Sequence, residues 1–414
     1  TSSGCWNGIE SMTQPPGTTT QGRPSDAADV EPSILFVARN FHRMAGGVER
    51  MAAAMMNELA RRGWRVGLLT WDPEDAEAHY ALDGRIAWIR MAVGDPARRA
   101  SWSMRWRRLR RIRRETRGFR PGVVIGFQSG AFLAARLAVL GLGIPVVAAE
   151  RNSPDQYDHV SRGSHRRMLA NAALALATRI TVQLPSYRFK YPVLLRPWIV
   201  DIPNPVERVS SPPCPNEAES PPRLILNLGR LSYQKNQSLL LRAFARIAAE
   251  YPGWALALVG DGEAADELRG LAEELGIADR VQFAGATRDI RAWFSRSAFL
   301  ALPSLWEGFP NALMEAFAHG VPAIGFRSTA GVNELLAEGE TGLLTAPDEE
   351  AFAAGMKRLM DRPDERRAMG RAALRSAARY EPEAIYDRWE ALFLSLTGAD
   401  RSCRIAGAGP HERE

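Results

Sequence analysis

The sequence predicts an α/β protein of two doubly wound parallel sheets, and three observations point there. Short apolar runs ending in glycine or a polar turn alternate with helix-period segments through both halves of the chain. A Pro- and Ser-rich stretch, 206–222, separates the halves and has the composition of an extended linker. Residues suited to binding charge follow directly on the apolar runs, and ligands of such sheets bind at the carboxyl ends of the strands.

In the first half, residues 33–205, Ser33-Ile-Leu-Phe-Val-Ala38 reads as the opening strand. A loop leads to Gly46-Gly47-Val-Glu49-Arg50 and a helix to about Arg62; paired glycines at a helix start let a ligand approach the backbone. Trp64–Thr70, Val123–Gln128 and Val146–Glu150 read as further strands, followed by Thr181-Val-Gln and Trp198-Ile-Val. The apolar run Gly130–Ala149 approaches membrane-spanning length. Arg136 and the Gly-Leu-Gly-Ile-Pro145 break indicate instead a core helix, a turn and a strand, so no transmembrane segment is expected.

In the second half, residues 223–379, Leu224–Leu228 is a strand that ends in a glycine turn carrying Arg230 and Lys235. Ala255–Val259 ends at Gly260-Asp-Gly262, Val281–Ala284 ends at Gly285, and Phe299–Ser304 delivers Glu307. Glu307-Gly-Phe-Pro-Asn-Ala-Leu-Met-Glu315 holds two carboxylates eight positions apart across a turn that opens a helix. Pro310 suits a first helical turn, where its missing N–H is no loss, and Gly320 before Val321-Pro322 suits the end. The free N–H groups of that helix start suit a phosphate, and the carboxylates can accept hydrogen bonds from sugar hydroxyls. Spacing alone favours a capped surface helix with two solvated acids; the neighbouring Arg230, Lys235 and glycine turns reverse that in favour of binding.

At these residues the chain resembles glycosyltransferase family 4, of the GT-B fold: two Rossmann-like domains facing a central cleft. The resemblance covers about residues 33–395 and is densest over 224–344, where Gly229-Arg230…Gln234-Lys235-Asn236, Val259-Gly260-Asp261-Gly262 and the spaced glutamates occur in the family's order. It implies that Arg230 and Lys235 hold the donor diphosphate, Glu307 the donor sugar and Glu315 the ribose. Gly229, Gly260, Gly308, Phe309, Pro310, Asn311, Ala312 and Leu313 would line the donor site, with Gly46 and Gly47 across the cleft. Where many members carry a histidine this chain has Glu150-Arg151-Asn152, which either contact acceptor or sugar or only brace their loop. A helix near 380–397 would return to the first domain.

The resemblance implies retaining transfer of a sugar from a nucleotide-sugar, UDP- or GDP-linked, to a hydroxyl of a lipid-linked glycan or a small acceptor. A donor phosphate oxygen would take the proton. No Asp-x-Asp adjoins the cleft residues and the six histidines are scattered, so metal-independent transfer with no cofactor is expected. A nucleotide-sugar epimerase of the same architecture is the alternative, separated by product analysis. A silent binding subunit fits less well with intact Arg230, Lys235, Glu307 and Glu315.

Composition sets outer bounds. A length of 414 residues suits two or three domains with real cores, and a net charge of +6 points to anionic partners. Only Lys190, Lys235 and Lys357 are lysines, so a compact ammonium at 235 stands out in an arginine-rich chain. Residues 98–120 hold eleven arginines and a single acid, Glu115, with Trp102, Trp106, Leu109 and Ile112 at three- and four-residue steps. Such a helix either packs its stripe on the sheet or lies on anionic lipid. Nucleic-acid binding is not favoured, because aromatic interleaving is sparse.

Cys5, Cys214 and Cys403 fall in segments expected to be unstructured, without metal or disulfide spacing, which fits a reducing compartment. Residues 1–32, which begin with Thr1, read as a disordered leader without signal-peptide character, and Met12 is a candidate start. Residues 398–414 read as a disordered tail. The expected location is cytoplasmic, peripheral to the inner membrane.

Overall fold

The computed structural model describes residues 31–44, 46–94, 100–159, 163–218, 223–287 and 289–397. The leader expected over residues 1–32, with Cys5 and Met12, and the tail expected over 398–414, with Cys403, lie outside the described residues apart from positions 31 and 32. The unit from Pro32 onward carries both sheets.

The first sheet forms from β1 (Ser33–Ala38), β2 (Arg65–Thr70), β3 (Ala87–Arg90), β4 (Val123–Phe127), β5 (Val146–Ala149), β6 (Arg179–Val182) and β7 (Ile199–Asp201). Its order is β3-β2-β1-β4-β5-β6-β7, with every pair parallel. The central strands are wholly buried because helices pack their apolar faces on both sides, which is why they read as continuous apolar runs. One face is covered by α1 (Gly47–Arg61) and the other by α2 (Trp102–Phe119), α3 (Gln128–Ala138) and α4 (Gly163–Leu174). The Gly130–Ala149 run divides into α3, a turn and β5; among the described residues no helix is long and apolar enough to cross a membrane.

The second sheet contains β8 (Leu224–Leu228), β9 (Ala255–Val259), β10 (Val281–Gly285), β11 (Phe299–Leu302), β12 (Ala323–Phe326) and β13 (Gly342–Thr345). Its order is β10-β9-β8-β11-β12-β13, again all parallel. Its helices are α5 (Gln237–Ala248), α6 (Ala265–Glu274), α7 (Ile290–Ser295), α8 (Asn311–Ala318), α9 (Val332–Leu335), α10 (Glu349–Asp361) and α11 (Pro363–Ala377). One apolar cluster runs from the first sheet to the second through Leu184, Tyr187, Ala330 and Val332.

The last helix, α12 (Pro382–Thr397), packs Ile385, Trp389 and Phe393 beneath the first sheet beside α1. Burial of each such side chain stabilises by about 1.5–3 kcal/mol. Arg62 adds ion pairs to Asp387 at 2.5 Å and Glu390 at 2.9 Å.

The stretch 206–218 departs from the extended linker expected from composition. Val206 is buried, its N–H donating to the Tyr380 carbonyl at 2.8 Å. Asn216 is buried too: it donates to the Ala298 carbonyl at 2.8 Å and accepts from Arg366 at 3.1 Å. Polar side chains that complete buried backbone groups hold this segment down, so Cys214 is half-buried against Gly320 rather than unstructured. Residues 219–222 lie outside the described residues.

Candidate active site

The carboxyl end of β11 leads through Pro303 to Glu307 and then to α8, whose first residues follow Pro310. Glu307 is buried, and its Oε1 accepts from Lys235 Nζ at 2.7 Å. Lys235 comes from the turn after β8, sewn to the Glu307 loop by two bonds. Gln234 Nε2 donates to the Trp306 carbonyl at 2.8 Å, and the Leu305 N–H donates to the Gln234 carbonyl at 2.9 Å. Gln237 braces the same turn from α5, donating to the Arg230 carbonyl at 2.9 Å. Arg230 itself is exposed on this wall.

The facing wall is the start of α1. Arg50 reaches across the cleft to form an ion pair with Glu315 on α8. Burial opposes the Arg50 charge, and the Glu315 carboxylate more than offsets it, so the guanidinium holds its proton more tightly than usual. Glu49 folds back over Gly46; burial raises its pKa, against its own backbone N–H and the field of Arg230. Asn204 donates to Asn311 Oδ1 at 3.0 Å, and the Tyr187 hydroxyl donates to the Glu307 carbonyl. A Cβ on Gly308 would lie 2.3 Å from the Arg151 carbonyl oxygen, so glycine is required where the two loops meet.

These elements enclose a cleft of about 780 Å³, within the usual range for small-molecule sites. Gly46, Gly47, Arg151, Asn152, Gly229, Arg230, Lys235, Glu307, Gly308, Phe309, Asn311, Ala312 and Glu315 line it. Gly260, Pro310 and Leu313 stand behind that lining. Leu313 is fully buried and its N–H donates to the Pro310 carbonyl at 3.0 Å, so it offers no donor to a ligand. Gly260 supports the Arg230 turn from beneath: a Cβ there would sit 2.0 Å from the Gly229 carbonyl oxygen.

The Glu150-Arg151-Asn152 loop divides. The Arg151 guanidinium turns into the first domain, donating to Thr181 Oγ1 at 2.8 Å and the Ile202 carbonyl at 3.2 Å, and lying 5.1 Å from the Trp389 ring. That is the bracing role, and burial lowers its pKa to about 9. Glu150 is buried in a cavity beside the cleft, where Ser129 donates to its Oε1 at 3.2 Å. Asn152 is the exposed member, facing the cleft.

Burial raises the Glu150 pKa, with partial relief from Ser129 and Arg151. A raised folded-state value contributes stability below the ordinary glutamate pKa and loses it as pH rises through the raised one. Glu150→Gln, which mimics the neutral acid, is therefore expected to gain stability over the parent as pH rises. Urea midpoints of both proteins across a pH series measure this; a constant difference would count against it.

Arg50, Asn204 and Tyr187 escaped the sequence reading. Arg50 had a signal, since it follows Gly47 by three residues and so shares its helix face at the cleft. Tyr187 and Asn204 had none, because their partners lie more than 100 residues away.

Residues 215–376 match the family described as glycosyl transferases group 1, and residues 45–185 match glycosyltransferase family 4. An exopolysaccharide phosphotransferase of Streptomyces coelicolor is 35% identical over 44% of this chain and 20% of its own length. An uncharacterized glycosyltransferase of Haemophilus influenzae is 25% identical over 84% of this chain and 96% of its own. A Campylobacter jejuni enzyme, N-acetylgalactosamine-N,N'-diacetylbacillosaminyl-diphospho-undecaprenol 4-alpha-N-acetylgalactosaminyltransferase, is 31% identical over 39% of this chain and 44% of its own. The chain thus spans less than half the length of two of these three relatives.

Among solved structures, sucrose-phosphate synthase of Thermosynechococcus elongatus superposes with a TM-score of 0.74 at 20% identity, over 89% of this chain and 100% of that one. Anabaena HepE in complex with UDP-glucose gives 0.70 at 18%, over 88% and 99%. Those likenesses establish the GT-B fold. With a family match on each half and both parallel sheets in place, the chain belongs to the GT-B glycosyltransferases of the family 4 type.

Proposed function

We propose that the protein is a retaining glycosyltransferase that moves a sugar from a UDP- or GDP-sugar to a hydroxyl of a lipid-linked glycan in cell-surface polysaccharide assembly. The observation that carries this reading is that Arg230, Lys235, Glu307 and Glu315 line one cleft at the carboxyl ends of the strands. The Campylobacter relative is named for a diphospho-undecaprenol glycan and HepE was solved with UDP-glucose, which supports the lipid-linked acceptor and the uridine nucleotide.

In this reading the diphosphate lies between Arg230 and Lys235 and the start of α8. Negative charge grows on it as the anomeric carbon–oxygen bond breaks, and fixed cations stabilise that charge more than they stabilise the ground state. The acceptor hydroxyl attacks from the face the diphosphate leaves, and its proton passes to a departing phosphate oxygen. These cations supply the charge stabilisation without a metal or cofactor. The enzyme works on the cytoplasmic side of the inner membrane, held peripherally by the basic α2.

A panel of UDP-, GDP- and ADP-sugars in a thermal-shift assay, followed by product analysis with EDTA present, tests the proposal. Stabilisation by one nucleotide series and acceptor-dependent transfer are expected. An altered sugar nucleotide formed without acceptor would establish epimerisation instead. Glu315→Gln is expected to weaken nucleotide binding by about 10–100-fold, because a charge-assisted hydrogen bond to ribose contributes roughly 1.5–3 kcal/mol. Titration calorimetry with the nucleoside diphosphate measures this, and unchanged affinity would remove Glu315 from the ribose.

A further inference from the structure

The helices on the outer side of the first sheet carry an apolar surface that no other described residue covers. α2, α3, α4 and the segment 185–198 form one layer, following β3, β4, β5 and β6 in turn. Among the described residues, every exposed large apolar side chain except Tyr233 lies on this layer or, like Leu140 and Leu176, in the turns that lead from it back to the sheet. The most exposed are Leu194 at 85%, Trp102 at 84%, Val193 at 69% and Phe189 at 68%. Buried residues in α4 are confined to its ends, Gly163 and Leu174, leaving Met168 and Leu169 outward.

The apolar stripe read from α2 is split by the fold. Ile112 and Leu109 pack inward against the sheet, while Trp102 and Trp106 point out. Each outward ring lies beside an arginine on its own helix, Arg105 at 5.2 Å from Trp102 and Arg110 at 5.5 Å from Trp106. The same pairing recurs on the segment 185–198, with Arg196 at 5.6 Å from Phe189. Aromatic rings flanked by cations suit the interface of an anionic bilayer, where rings enter the headgroup layer and guanidinium groups meet phosphate.

We propose that this whole layer, and not α2 alone, docks on an anionic lipid bilayer, with Phe189, Val193 and Leu194 as a second insertion point beside the cleft. The proposal rests on the lipid-linked reading above for its purpose, but not for its test. Charge complementarity selects lipid as the occupant: of the eight arginines on α2 all but the buried Arg108 are at least partly exposed, against the single acid Glu115. The second point lies next to the site because Tyr187, two residues before Phe189, donates to the Glu307 carbonyl. A bilayer held there would bring a lipid-borne acceptor to the first-domain side of the cleft.

Vesicle flotation of the full chain tests this, with phosphatidylcholine vesicles and with vesicles containing phosphatidylglycerol. Retention on the anionic vesicles, weakening with salt, is expected. Phe189→Glu with Leu194→Glu is expected to lower retention about 10-fold, as is Trp102→Glu with Trp106→Glu, while the thermal shift with nucleotide-sugar stays unchanged and reports intact folding. Equal retention of the Phe189/Leu194 variant and the parent would overturn the second insertion point. Absence of retention on anionic vesicles would overturn the surface, as would a dimer in solution that these substitutions dissolve without any vesicle binding. Vesicle retention without nucleotide binding would instead count against sugar transfer and leave the surface standing.

Discussion

Lys235→Ala is expected to lose about 3 kcal/mol of stability and a factor of about 10²–10³ in turnover, and a second substitution separates the losses. The Lys235 and Glu307 side chains are only 19% and 5% exposed, and their charged atoms lie 2.7 Å apart. Removing the ammonium strands a buried carboxylate, whose desolvation then has no compensation. Turnover falls for a different reason, since a fixed positive charge beside the departing diphosphate is gone. Lys235→Ala combined with Glu307→Gln is therefore expected to recover much of the stability but none of the turnover. Arg230→Ala makes the contrast: Arg230 is exposed, so turnover is expected to fall with little change in denaturation midpoint. Near-normal kcat in folded Lys235→Ala and Arg230→Ala proteins would refute the diphosphate assignment.

Gly260→Ala is expected to damage the donor site without touching it. Gly260 has φ +143° and Gly229 has φ +149°, both in the region that favours glycine. The two turns interlock: the Gly229 N–H donates to the Val259 carbonyl at 2.9 Å and the Leu231 N–H to the Asp261 carbonyl at 3.0 Å. An added Cβ at 260 would meet the Gly229 carbonyl oxygen at 2.0 Å, and backbone there cannot yield as a side-chain end can. Relief requires shifting the turn that bears Arg230 and Lys235. Backbone strain of roughly 1–3 kcal/mol is expected, with turnover down about 10²-fold for a shift near 1 Å. Gly270→Ala within α6 is the control: nothing lies within 4 Å of its Cβ position, and helix propensity predicts a gain of up to about 1 kcal/mol. Denaturant midpoints and kcat for both variants decide the matter; a fully active Gly260→Ala would show that the two turns move independently.

Most strands legible in the sequence share a property, the edge strands β7 and β10 being the exceptions. β1, β4 and β9 are covered on both faces, so their apolar content is continuous and visible. The strands passed over, β3 and β13, are edge strands of only four residues with partly exposed side chains, and a short mixed run gives no period to detect. The Pro- and Ser-rich connection departs from its composition for a related reason. Composition described its backbone, but Asn216 and Val206 are held by partners far away in the chain.

What the amino-acid order determined by itself was local chemistry. Glycine turns after apolar runs, a helix opening at Pro310, and cations and carboxylates at strand ends depend on backbone sterics and short-range bonding, so they show in the residues alone. Tertiary structure decided everything that depends on direction. It turned the Arg151 guanidinium inward to Thr181 and Trp389, set Arg50 against Glu315, and left Trp102 and Leu194 facing solvent. A side chain's facing is set by which distant segment fills the space beside it, and that is a property of the packed chain.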